Sequence, residues 1–191
     1  MIGDTKLVVE PGDIFLTQGN SFISKAIRFF SKSGGESRTE VNHVGLVVVG
    51  GRPHSATIVE ASSTVLRHSM EGYWNSKNTK VAVFRPKNIT PATRDHIVQR
   101  ANSYVGRKYG YLKIVAHFLD WILGGRYFFR RFAFMDKYPI CSWVVAQAYA
   151  DAGYTFGVDA GAASPDDIWD FVLTNIDKYD MIHGLTLLKD N

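Results

Sequence analysis

The chain has 191 residues, 46% apolar and 21% charged. That is enough to bury one sizeable core, and it is neither a disordered nor a fibrous composition. A single cysteine excludes an internal disulfide and a thiolate metal cluster built from one chain. The formal charge of +4 is unevenly spread: residues 107–137 carry seven basic and two acidic side chains among nine aromatics. A basic, aromatic stretch of this kind suits an anionic membrane surface. No zinc-finger, RNP or helix-turn-helix pattern accompanies it, so no nucleic-acid partner is expected. No basic-then-apolar leader opens the sequence and no run approaches a spanning length. The expectation is a cytoplasmic protein or the mature form of an exported one, folded as a single domain over 1–191.

In chain order, Pro11-Gly12 is a turn and residues 13–17 read as a short strand. Residues 21–32 have the spacing of a basic amphipathic helix, opened by Asn20 or Ser21. A polar loop, 33–40, precedes a β-branched strand at 43–49 that Gly50-Gly51 ends. Residues 56–61 and 81–85 are further strands. After Pro86 the pattern becomes helical. Thr90-Pro91 starts a helix with a hydroxyl cap and a first-turn proline, and it runs to about Val105 before Gly106. A second helix is predicted over 111–123, an irregular aromatic stretch over 126–139, and a third helix over 140–152, stopped by Gly153. Ser164-Pro165-Asp166-Asp167 is a cap, a proline and two acids, which opens a short helix. Strands come mostly first and helices second, so the predicted class is α+β, a small antiparallel sheet packed on helices.

Three residues stand out for chemistry. Cys141 begins a predicted helix, where the dipole favours thiolate, and a thiolate beside an imidazole is a ready nucleophile. As a lone thiol it could equally be a buried packing residue. His43 begins a strand on whose one face it stands with Gly45 and Val47, glycine leaving space beside the imidazole. A strand-end histidine bonded to backbone is the plainer reading. Glu60 is a carboxylate inside an otherwise apolar strand, costly unless paired. It could hold the far nitrogen of His43, or face water from an edge.

Taken together, these residues look familiar. Pro11-Gly12-Asp13-Ile14 and His43-Val44-Gly45-Leu46-Val47-Val48 resemble the second half of the NlpC-type peptidases of the papain-like superfamily. Gly106-Arg107-Lys108-Tyr109 with Cys141-Ser142-Trp143-Val144-Val145 resembles their first half. The cysteine block comes last here, which matches the circularly permuted branch, the YiiX-like and lecithin:retinol acyltransferase-like proteins. Val59-Glu60-Ala61-Ser62 and Ser164-Pro165-Asp166-Asp167 are similar to the YiiX-like side. The resemblance spans about residues 10–172.

It implies a permuted papain-like (NlpC-like) fold with Cys141 as nucleophile, His43 as general base and Glu60 as the group that orients the histidine. It further implies that Tyr109 lines the site, that Ser142 belongs to the substrate-binding helix start, and that the Cys141 backbone N–H serves as an oxyanion donor. The expected function is that of a cysteine hydrolase acting on an amide in a peptide, a cell-wall fragment or a lipid, through an acyl-thioester. That chemistry needs no metal and no organic cofactor. Two alternatives stay open. One is a lipid esterase or acyltransferase, favoured by the basic aromatic segment; exposure of Trp121, Phe128 and Phe129 beside Arg130 and Arg131 at the site mouth would favour it. The other is a non-catalytic module that binds membrane surfaces. Nothing in the sequence indicates an oligomeric state.

Overall fold

The computed structural model describes residues 7–19, 39–62, 64–108 and 141–189. The Pro11-Gly12 pair makes the expected turn. Asp13 N–H donates to the Glu10 carbonyl at 3.0 Å, and Gly12 has φ of 88°. This is the type II geometry that takes proline and then a residue with positive φ. Strand β1 (Ile14–Gln18) leaves the turn. It is followed by β2 (His43–Val49), β3 (Thr57–Ala61), β4 (Val65–Ser69), the short helix α1 (Glu71–Trp74) and β5 (Lys80–Pro86). Helices α2 (Pro91–Ser103), α3 (Cys141–Ala150) and α4 (Pro165–Thr174) come next, and β6 (Tyr179–Thr186) is last.

The six strands form one sheet in the order β4-β3-β2-β1-β5-β6, every pair antiparallel. The architecture is therefore α+β, as the sequence predicts. The four strands expected are the four inner ones. The two that sequence reasoning missed, β4 and β6, are the two edges. Strand β4 lacks the alternation that marks a half-buried strand, since four of its five residues are exposed. The expected helices at 21–32 and 111–123, the irregular stretch 126–139 and nearly all of the 107–137 segment lie outside the described residues.

Strand alternation divides the core. Val44, Leu46, Val48, Val59, Ala61 and Phe84 face one side, against Ile97, Ala101, Val145 and Ile168 of α2, α3 and α4. Phe15, Val47, Ile58 and Val83 face the other, under Met70, Trp74 and Leu188. Helix α3 is buried on nearly every side, as a helix that is apolar all round must be. The caps read from sequence form as expected. Thr90 Oγ1 accepts from Thr93 N–H at 3.1 Å. Ser164 and Asp167 exchange reciprocal hydrogen bonds of 3.1 and 2.8 Å. Among the described residues no helix is long and apolar enough to cross a membrane.

One polar cluster registers the helices against the sheet. Asp13 is fully buried and accepts from Glu10 N–H at 2.8 Å and from Arg85 at 2.8 and 3.0 Å. Burial pushes its carboxyl up, and Arg85 and the Glu10 N–H pull against that. Arg94 of α2 donates to the Pro11 carbonyl at 2.5 Å, and the Tyr149 hydroxyl of α3 donates to the Gly12 carbonyl at 2.7 Å. The turn thus holds β1, β5, α2 and α3 together. Asp13→Ala would leave Arg85 to Glu10 and the Val8 carbonyl, and would orphan the Glu10 N–H. A loss of about 1–3 kcal/mol is expected in urea unfolding.

Candidate active site

His43 opens β2, opposite Thr17 at the end of β1. The chain before it is braced: Asn42 N–H donates to the Thr17 carbonyl at 2.9 Å, and Asn42 Oδ1 accepts from Gly19 N–H at 3.0 Å. Glu60 lies on the neighbouring strand, where its cross-strand partner is Gly45. The period of two therefore puts Glu60 and His43 on one sheet face. His43 Nε2 donates to Glu60 Oε2 at 2.8 Å. The other ring nitrogen is left for Cys141, with which His43 is hydrogen-bonded.

Gly45 has a different role from the one expected. A Cβ there would lie 2.4 Å from Phe15 Cζ and 3.0 Å from Glu60 Cβ. The missing side chain makes room for the Phe15 ring, not for the imidazole. Phe15 in turn packs on Tyr73, ring centroids 5.4 Å apart.

Cys141 is buried at the first position of α3, which packs along β2. Burial alone would push the thiol up, but His43, its charge and its hydrogen bond bring it below its ordinary value. The backbone N–H groups of Val44 and Ser142 add to that effect. His43 moves the other way. Burial would lower it, yet the Cys141 thiolate and then Glu60 outweigh burial and raise it. Both shifts run the same way, favouring thiolate and imidazolium over thiol and neutral imidazole.

Glu60 is buried too, and burial would raise its carboxyl. Hydrogen bonds from His43, His68 and Tyr73 override that and take it well below the usual carboxylate range. His68 Nε2 lies 2.9 Å from Oε1, and the Tyr73 hydroxyl donates to Oε2 at 2.7 Å. The Tyr73 hydroxyl is raised by burial and by the Glu60 charge, so it stays protonated as a donor.

Three of the residues singled out from sequence, Cys141, His43 and Glu60, therefore meet in space. Ser142 is placed otherwise than expected. Its side chain is fully buried and donates to the Ala163 carbonyl at 2.6 Å, so only its backbone N–H faces the sulfur. A hydroxyl at the buried start of a mostly apolar helix had to find a buried acceptor, and the loop before α4 supplies it. Tyr109 lies outside the described residues. His68 and Tyr73 were missed. Their signal was the hairpin: once Glu60 is inside β3, a strand returning after residues 62–64 brings His68 diagonally beside it.

Four outcomes are expected. Glu60→Gln should raise the apparent Cys141 thiol pKa toward the free value of about 8.5, read from alkylation rate against pH. His43 contributes stability fully below its ordinary 6.5 and loses it as pH rises through its raised folded value. Glu60 contributes above its ordinary 4.5 and loses that only as pH falls through its depressed folded value. The melting-temperature difference between the native chain and Glu60→Gln should therefore be greatest between pH 4.5 and 6.5 and shrink in alkali. Gly45→Ala should cost about 1–3 kcal/mol by overpacking Phe15, and Ser142→Ala about 1–3 kcal/mol by orphaning the Ala163 carbonyl, with the thiol still reactive.

No family model matches the chain, and no curated protein matches it. Among solved structures it is similar to the metalloprotein yiiX from Escherichia coli O157:H7, at 18% identity and a TM-score of 0.53, over 95% of this chain and 92% of that one. The chain has the YiiX-like fold.

Proposed function

We propose that this protein is a cysteine hydrolase of permuted papain-like architecture, cleaving an amide bond in a peptide, a cell-wall fragment or a lipid-linked amide. One observation carries the reading: His43 is shared between the Cys141 thiol and the Glu60 carboxylate. Nucleophile, base and orienting group are then in contact, which is the arrangement that acyl transfer requires in any chain order. The chain order supports the permuted form, since the histidine and glutamate strands precede the cysteine helix.

In this reading the Cys141 thiolate attacks the carbonyl carbon and a tetrahedral oxyanion forms. The oxyanion collapses to a thioester as the C–N bond breaks, and His43 gives its proton to the leaving amine. Water then attacks the thioester while His43 takes a proton from it, and the acid leaves with Cys141 restored. Glu60 holds the imidazole in the tautomer and orientation that both transfers need. The α3 N-terminus lowers the cost of negative charge at the sulfur and at the oxyanion beside it.

The neighbour in fold is described as a metalloprotein, and the donor set here differs from a metal site. His43 and His68 both direct Nε2 at oxygens of Glu60. The three side chains bond to one another instead of converging on a common point. Among the described residues no group of three or more histidine, cysteine or acidic side chains is arranged to hold an ion. The described residues do not fit a metal, and no step of this mechanism runs through one.

The basic, aromatic composition of residues 107–137 supports a second substrate class, an acyl ester presented at an anionic membrane surface and attacked by the same thiolate. The test is intact-mass detection of an acyl adduct on Cys141 after exposure to peptide amides, N-acyl amines and long-chain esters, with and without anionic vesicles. A thioester is expected, absent in Cys141→Ser and formed about 10²–10⁴-fold more slowly in His43→Ala. Faster acylation by long-chain esters on vesicles than by any amide would move the assignment to the second class. A thiol of ordinary acidity that takes up no acyl group would overturn both.

A further inference from the structure

Glu60 has more partners than an orienting carboxylate needs. Oε2 serves His43 and Tyr73, while Oε1 is given over to His68 Nε2 at 2.9 Å. The other ring nitrogen of His68, Nδ1, lies 3.0 Å from the Ser69 carbonyl oxygen. A carboxylate and a carbonyl are both acceptors. His68 satisfies both contacts only with a proton on each nitrogen, so the geometry selects its imidazolium. The titratable groups that face it are Glu60 from β3, His43 behind that carboxylate on β2, and Tyr73 from α1.

This matters for His43 because the terminal torsion of a glutamate is soft and roughly two-fold. A carboxylate held at one oxygen can swing. Held at both, it presents Oε2 to His43 in one orientation. Charge points the same way. Thiolate and His43 imidazolium cancel, and the Glu60 carboxylate, only 8% exposed, is left over. A second imidazolium balances it, from a side chain that is 41% exposed and therefore itself cheap to charge.

We propose that His68 is a positioning residue of the site: braced between the Ser69 carbonyl and Glu60 Oε1, it fixes the carboxylate against His43 and supplies its counter-charge. The inference rests on the cysteine-hydrolase reading in that its main readout is the Cys141 thiol.

The experiment is the rate of Cys141 alkylation by iodoacetamide from pH 4 to 10 in the native chain, His68→Ala and His68→Gln. Glutamine keeps an N–H that can reach Oε1. His68→Ala is expected to raise the apparent thiol pKa by about one unit and to slow alkylation at pH 6 about tenfold. His68→Gln should recover the native rate to within about threefold, which a merely structural role would not produce. A rate in His68→Ala within twofold of native would overturn the proposal, and so would a His68→Gln as slow as His68→Ala. Should the alanine variant fail to fold, ¹⁵N NMR of the native chain at pH 7 decides: both His68 ring nitrogens protonated supports the proposal, and a neutral ring with one N–H overturns it. A native thiol already sluggish at pH 6 would sink the hydrolase reading instead, and the NMR result would still stand or fall on His68 alone.

Discussion

A carboxylate can be buried in a β-sheet face only if its charge is met where it lies. Glu60 sets that condition, and the surrounding structure answers it. Three donors from three places in the chain converge on its two oxygens: His43 from β2, His68 from β4 and Tyr73 from α1. Each has its own second attachment. Tyr73 packs on Phe15, which fills the space over Gly45. His68 is tied to the Ser69 carbonyl, and His43 to Cys141. Strand β4 and the short α1 each bring one donor to this anion.

The sulfur is positioned by a separate set of constraints. Helix α3 is held at both ends by buried hydroxyls: Ser142 Oγ to the Ala163 carbonyl and Tyr149 Oη to the Gly12 carbonyl. Neither group touches the chemistry. Both stop the helix from sliding along β2, and a shift of an ångström there would separate thiol from imidazole. The Pro11-Gly12-Asp13 turn joins the two sets of constraints. It anchors Tyr149, receives Arg94 and Arg85, and starts the strand whose Phe15 supports the carboxylate side.

A shared fold with yiiX at 18% identity says how the backbone runs and leaves the chemistry to the side chains. Here those side chains are bonded to one another in sequence, Cys141 to His43 to Glu60 to His68. In the proposed hydrolase reading this chain of contacts would carry a proton between sulfur and imidazole, with Glu60 and His68 holding the imidazole in place. It leaves the Nε2 atoms of His43 and His68 both bonded to Glu60.

Local pattern was enough for part of this. The turn, the four inner strands, the caps at Thr90 and Ser164 and the Cys141 helix each announce themselves through short-range physics: positive-φ glycine, β-branched runs, a hydroxyl followed by proline. Cys141, His43 and Glu60 were visible for the same reason, each being anomalous in its own local setting. The edge strands β4 and β6 were not, because neither carries the regular apolar alternation that marks a half-buried strand. His68 and Tyr73 therefore stayed hidden with them. An exposed histidine on an unrecognised strand has no local anomaly. Its role arises only when the β3–β4 hairpin folds it back against Glu60, eight residues earlier. Gly45 and Ser142 show the same limit. That position 45 must be small, and that position 142 carries a hydroxyl, could be read directly. Whether the space served the imidazole or the Phe15 ring, and whether the hydroxyl met substrate or the Ala163 carbonyl, depended on which distant chain lay alongside, and that is decided only by tertiary packing.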